Sequence, residues 1–176
     1  MKRILVTAAL AVLLGGCSAV SVERYRAETP LFSPARYLNG TLDAWGMVQD
    51  RSGLVTKRFH AVIAARWDGP RGVLEESFEW ADGSRSQRTW TLQMLPDGRV
   101  SGRAEDVVGE AIGEVAGNAF HWRYVLAVPV DGKVWNLDVD DWMFQMDEKV
   151  MLNRSTLRKW GLDVGEVTLA FVKRGP

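Results

Sequence analysis

The stretch Leu54–Asp68, LVTKRFHAVIAARWD, decides the fold. Phe59, Ala61, Ile63, Ala65 and Trp67 fall on one face of an extended chain, with Arg58, His60 and Arg66 on the other. Successive Cβ atoms of a strand point to opposite sides of a sheet, so this period of two marks a strand buried on one face. Asp50-Arg51-Ser52-Gly53 before the run and Asp68-Gly69-Pro70-Arg71-Gly72 after it are turn compositions.

The same pattern extends in both directions. Upstream, Asn39-Gly40 introduces a run over Thr41–Gln49. Downstream, Leu74, Phe78 and Trp80 oppose Glu75, Ser77 and Glu79, and Arg88, Trp90, Leu92 and Met94 alternate with Thr89, Thr91 and Gln93. Asp97-Gly98 is a hairpin signal. Two short glycine-punctuated runs follow, Val100–Asp106 and Val108–Val115; Gly109 and Gly113 weaken a trace of helical character in the second. Phe120, Trp122, Tyr124, Leu126 and Val128 then oppose His121 and Arg123, and later runs cover Val134–Met143, Val150–Lys159 and Val164–Arg174. The expected fold is all-β, an antiparallel up-and-down barrel of about ten strands over residues 37–176. A closed meander leaves no unpaired edge, and a barrel of that size has room for one small ligand.

The first residues read differently. Lys2 and Arg3 precede an apolar run from Ile4 to Leu14. As a helix it reaches roughly 16 Å, too short for a hydrocarbon core of ~30 Å but suited to a secretory signal over residues 1–16. Leu14-Gly15-Gly16-Cys17 looks like a lipobox, which implies that Cys17 becomes a lipidated N-terminus and anchors the protein to a membrane. Cys17 is the sole cysteine, so no intramolecular disulfide is available. Ser18 follows, where lipoproteins kept at the inner membrane usually carry Asp. That resemblance implies the periplasmic face of the outer membrane. Residues 17–36 lack periodicity, contain Pro30 and Pro34, and read as a flexible tether.

The chain has 176 residues, with 22 basic and 22 acidic side chains; without the signal the balance is 20 to 22. No basic excess points to nucleic acid. Eight tryptophans, all after the signal, must fill a core, line a cavity or sit at an interface.

Asn39–Gly53 (NGTLDAWGMVQDRSG), Trp122-Arg123-Tyr124 and above all Asp140–Arg154 (DDWMFQMDEKVMLNR), with Gly161 and Gly165-Glu166, resemble an uncharacterised lipoprotein family of Gram-negative bacteria, DUF3833. The resemblance spans nearly the whole mature chain. It implies a calycin-like barrel and supplies no activity, cofactor or catalytic residue. Lipocalins match poorly, since their first-strand Gly-x-Trp appears only as the altered Asp43-Ala44-Trp45-Gly46.

Two groups of residues are candidates for a site. Phe59, Trp67, Phe78, Trp80, Trp90, Trp122 and Tyr124 face inward under one barrel register; they either fill the interior or line an apolar cavity. Arg123, Asp138, Asp140, Asn153 and Arg154 form a polar cluster. Its acidic members read as a cation or acid–base site, or as a solvated face paired with Arg123 or Arg154. His60 and His121 fall on outward faces, and neither a zinc ligand set nor a nucleophile motif is present. The expectation is a non-enzymatic, cofactor-free envelope lipoprotein that binds a hydrophobic or amphipathic, lipid-like ligand in the barrel. A structural or assembly lipoprotein working through protein contacts is the second reading. An enzyme acting on envelope lipids through Asp138, Asp140 and Arg123 is the third.

Overall fold

The structure is a computed structural model describing residues 20–175. Cys17, the expected signal peptide and the start of the expected tether lie outside those residues. Ten strands follow one another in a meander: β1 Gly40–Asp50, β2 Val55–Asp68, β3 Arg71–Trp80, β4 Arg85–Met94, β5 Val100–Arg103, β6 Val107–Ala116, β7 Ala119–Val130, β8 Lys133–Gln145, β9 Val150–Lys159 and β10 Leu162–Lys173. Each pairs antiparallel with the next, and β1 pairs with β10 to close the barrel, Trp45 opposite Ala170. The alternation in β2 does what its pattern predicts: Phe59, Ala61, Ile63 and Ala65 are buried in the barrel.

Odd-to-even connections gather at one end and even-to-odd connections at the other. Two of the odd-to-even turns are two-residue loops, Asp131-Gly132 and Trp160-Gly161, with positive φ at both positions. That is the backbone of a type I′ hairpin, whose twist matches the strands it joins.

Glycines on the inner surface make room for rings. A Cβ on Gly102 would stand 2.8 Å from Trp122, and one on Gly113 would overlap the Phe120 ring. Trp90, Leu92, Phe120 and Trp122 are accordingly buried, with the Trp90 and Trp122 ring centroids 4.7 Å apart. The lower half of the barrel is therefore close-packed rather than hollow.

Residues 20–38 correct the expected tether. A 3-10 helix, Val22–Tyr25, lies on the outer wall, where Val22 packs on Ala116 and Ala119 and Tyr25 meets Phe144 at 5.1 Å. A single-turn helix, α1 (Pro34–Tyr37), then brings Phe32, Tyr37 and Leu38 into the core cluster. Phe32 stacks on Phe120 at 5.7 Å, the Tyr37 hydroxyl donates to the Lys149 carbonyl at 2.8 Å, and Phe32 N–H donates to Gly117 O at 2.8 Å. Burying a ring of this size contributes about 2–3 kcal/mol. Several such burials, of Val22, Phe32, Tyr37 and Leu38, together hold this proline-containing segment on the barrel. The segment closes the end of the barrel that carries the even-to-odd turns.

Candidate functional site

Among the described residues no segment crosses the opposite end. Its turns are short, and inward-facing Phe78, Trp80, Tyr124, Leu126, Val167 and Leu169 are only half-buried there. Phe59, Phe78 and Trp80 form one aromatic wall, with Phe59–Trp80 at 5.0 Å and Phe59–Phe78 at 5.4 Å. The Trp80 indole N–H donates to Ser86 Oγ at 2.9 Å. The seven aromatic candidates thus all face inward but divide by depth. Trp90 and Trp122 belong to the packed interior, and Trp67 is sealed under the N-terminal segment by a hydrogen bond to Leu38 O. Phe78, Trp80 and Tyr124 face the open end, with Phe59 behind them.

Below this wall a polar band crosses the barrel. Arg88 Nε donates to Glu76 Oε2 at 2.7 Å and its guanidinium lies 3.5 Å from Asp106, while Phe78 and Trp90 flank it at 5.6 and 5.3 Å. Burial opposes the charge of Arg88, but Glu76, Tyr124 and Asp106 outweigh it and hold the side chain cationic. Asp106 Oδ1 is buried and unpartnered. Beyond Tyr124 stands Asp141, which accepts from Trp122 Nε1 at 3.0 Å, from Tyr124 OH at 3.4 Å and from Asn153 Nδ2. Burial pushes its carboxyl up to about 6 despite these donors. Burial and then the neighbouring Asp141 charge raise the Tyr124 phenol well above its ordinary value.

Sequence reasoning did not select Glu76, Arg88 or Asp141 as site residues. The signal was available: Glu76 falls in phase with Leu74 and Phe78, Arg88 with Trp90 and Leu92, and Asp141 with Leu137 and Val139.

The expected polar cluster is split across the wall. Asn153 points inward to Asp141, whereas Arg154 points outward and pairs with Glu166 at 2.6 Å. Arg123, Asp138 and Asp140 do meet, on the outer face, in a cleft of about 350 Å³ shared with Glu110 and Arg158. The cleft lies where the β6–β7 register shifts between Val108 and Ile112. Asp140 accepts from His121 at 2.7 Å and Arg158 at 3.2 Å; burial works against its charge, but these partners hold its carboxyl below the usual range. The solvated, ion-paired reading of this segment fits these contacts. Among the described residues no three His, Cys, Asp or Glu side chains are grouped to share a metal ion. Both histidines lie outside the barrel: His60 on Asp43 at 2.9 Å, and His121 covered by Trp142, stacked at 3.9 Å.

The sequence profile of DUF3833, described as a protein of unknown function, matches residues 11–173. The chain belongs to this family. No curated protein matches the sequence of this DUF3833 chain. Its barrel is similar to that of an S-type phycobiliprotein lyase from Guillardia theta, with a TM-score of 0.57 at 6% identity over 78% of this chain and 89% of the lyase. A protein of unknown function from the DUF3598 family of Nostoc punctiforme gives 0.52 at 11% identity over 84% of this chain. The DUF3833 chain spans 51% of that protein's length. Lobster apocrustacyanin A1 gives 0.43 at 15% identity over 92% of this chain and 73% of its own. The likenesses to the lyase and the DUF3598 protein establish a shared fold.

The DUF3833 barrel also carries an outer groove of about 570 Å³ running over β9, β10, β1 and β2 to the end of β3. Trp45, 51% exposed, Met47, Leu152 and Ala170 make its surface mostly apolar. Of its lining, sequence reasoning singled out as site candidates only Phe59 and Trp80, as inward residues; Trp45, Met47, Leu152 and Ala170 occupy outward positions that alternation assigns to solvent.

Proposed function

We propose that this DUF3833 protein is an envelope lipoprotein, anchored through Cys17 at the periplasmic face of the outer membrane, that holds an amphipathic, lipid-like molecule by binding rather than catalysis. One observation carries the reading. The barrel is plugged at one end by residues 22–38 and open at the other, where half-buried aromatic walls stand above Arg88, Tyr124 and Asp141. An acyl chain suits the Phe78–Trp80 wall, and an anionic or hydroxylated head suits Arg88 and Tyr124. The packed lower half limits the ligand to a short or partly protruding chain.

The test uses the Cys17→Ser protein, extracted with organic solvent for mass spectrometry and titrated with brominated fatty acid. The ring cluster beside the mouth makes tryptophan quenching a direct reporter. Saturable quenching that Leu126→Trp abolishes by filling the mouth supports the reading. An empty extract with no saturable quenching defeats it.

The apolar groove around Trp45 favours a second reading, an assembly lipoprotein that seats a protein partner on its outer wall. Photo-crosslinking from Met47 in cells tests it; no discrete adduct would remove it.

A further inference from the structure

The open end has a rim whose composition differs around its circumference. Three of its hairpin tips are neighbours, because β1 borders β10 and β9 borders β8. Leu54 and Val55 stand at the first tip, Trp160 and Leu162 at the second, Val134 and Trp135 at the third, and all six are exposed. Trp160 is 82% exposed and takes a left-handed φ of +52°. Bulky side chains rarely adopt that conformation, and the neighbouring turn fills the equivalent position with Asp131. The Trp160 ring meets only the exposed Trp135, with centroids 6.0 Å apart, and Lys159, so it stands outside the barrel's core.

Charge follows the same arc. The three tips, over residues 50–57, 131–133 and 158–163, hold five basic side chains and three acidic ones in a chain of zero net charge. Asp163 is paired with Arg158, and Asp50 accepts from Ser52 and Leu54 within its own turn. Arg51, Lys133 and Lys159 enter no salt bridge among the described residues, Lys57 approaches Asp82 of the next turn without a direct ion pair, and Lys159 lies over both Trp135 and Trp160, at 5.8 and 5.4 Å. The two remaining hairpin ends on this side, over residues 79–86 and 103–107, hold four acidic side chains and two basic ones.

We propose that this arc docks on the surface of a bilayer containing anionic phospholipid, Trp160, Leu162 and Leu54 entering the interface and the lysines meeting the headgroups. Tryptophan beside lysine and branched aliphatics is the chemistry of that interface, where an indole sits at headgroup level and basic side chains add attraction to anionic lipid. The surface stands whether or not the barrel holds a ligand.

The Cys17→Ser protein is co-sedimented with mixed phosphatidylglycerol–phosphatidylcholine vesicles and with phosphatidylcholine alone. Binding to the mixed vesicles, with a blue shift of tryptophan emission, is expected to exceed binding to neutral ones. Trp160→Asn combined with Leu162→Thr should weaken it by about tenfold or more, while Lys133→Gln with Lys159→Gln reduces the preference for anionic lipid. Asn-Gly suits the turn better than Trp-Gly, so the first variant should unfold at higher denaturant than the parent, which separates lost docking from lost folding. No binding to mixed vesicles, or equal binding by parent and variant, overturns the proposal. A dimer in sedimentation equilibrium that the variant dissociates also overturns it, by making a second copy the occupant. Fatty-acid quenching in the same variant stays at the parental level, so a failure here is distinguishable from failure of the ligand reading.

Discussion

The carboxyl of Asp141 lies inside the barrel among Trp122, Tyr124, Asn153 and Ser155, with no basic side chain at ion-pair distance among the described residues. Desolvation raises it to about 6, from 3.8 for an ordinary aspartate, and the donors only partly offset this. The folded state therefore holds a proton that the unfolded chain releases earlier. Stability from this group is present in full below about pH 4 and is lost as pH rises through about 6, a change of about 3 kcal/mol at most. Asp141→Asn removes the titration at a fixed loss of about 1 kcal/mol from one exchanged acceptor. Urea unfolding of both proteins across that window should show the parent's advantage shrinking with pH; a constant difference would refute the assignment. Asp141 was legible from its phase with Leu137 and Val139. The acidic cluster drew attention to Asp138 and Asp140 because local charge density is visible in sequence, whereas the side of a wall is visible only through register.

The strands were legible because their pattern and turns agree. Leu54–Asp68 became Val55–Asp68, Thr41–Gln49 became Gly40–Asp50, and Val150–Lys159 appears with the expected bounds. The N-terminal segment was not, since Val22, Phe32 and Tyr37 share no period; each is fixed by a tertiary contact with residues far along the chain. An element of that kind has no local signature. Its energetic weight is open to measurement. Phe32 is buried against Tyr37 and Phe120, so Phe32→Ala should destabilise the barrel by about 3 kcal/mol. Hydrogen exchange should quicken first at the amide of residue 32, which donates to Gly117 O of the β6–β7 turn. A loss under about 0.5 kcal/mol would show that the segment rests on the barrel without closing it.

At the scale of the whole molecule, ten meandering strands were enough to predict a closed barrel. They could not say which end opens, because both ends carry turns of similar composition. The plug settles that, and it places the start of the described chain at the closed end. With Cys17 acylated as proposed, only Ser18 and Ala19 stand between the anchor and Val20, a reach of about 10 Å. A strand the length of β7, tilted as barrel strands are, spans roughly 30 Å along the axis. The mouth and its apolar arc then point away from the anchoring bilayer, so a second membrane surface is the one they can meet. Lipidated protein reconstituted into one set of vesicles should therefore capture a second, anionic set, seen as co-flotation of a dye carried only by the latter. Trp160→Asn with Leu162→Thr, or loss of acylation, should each abolish capture, because each removes one of the two attachments. Rim-dependent binding without capture would mean that the barrel lies down on its own membrane, and the polarity argued from the plug would then be wrong.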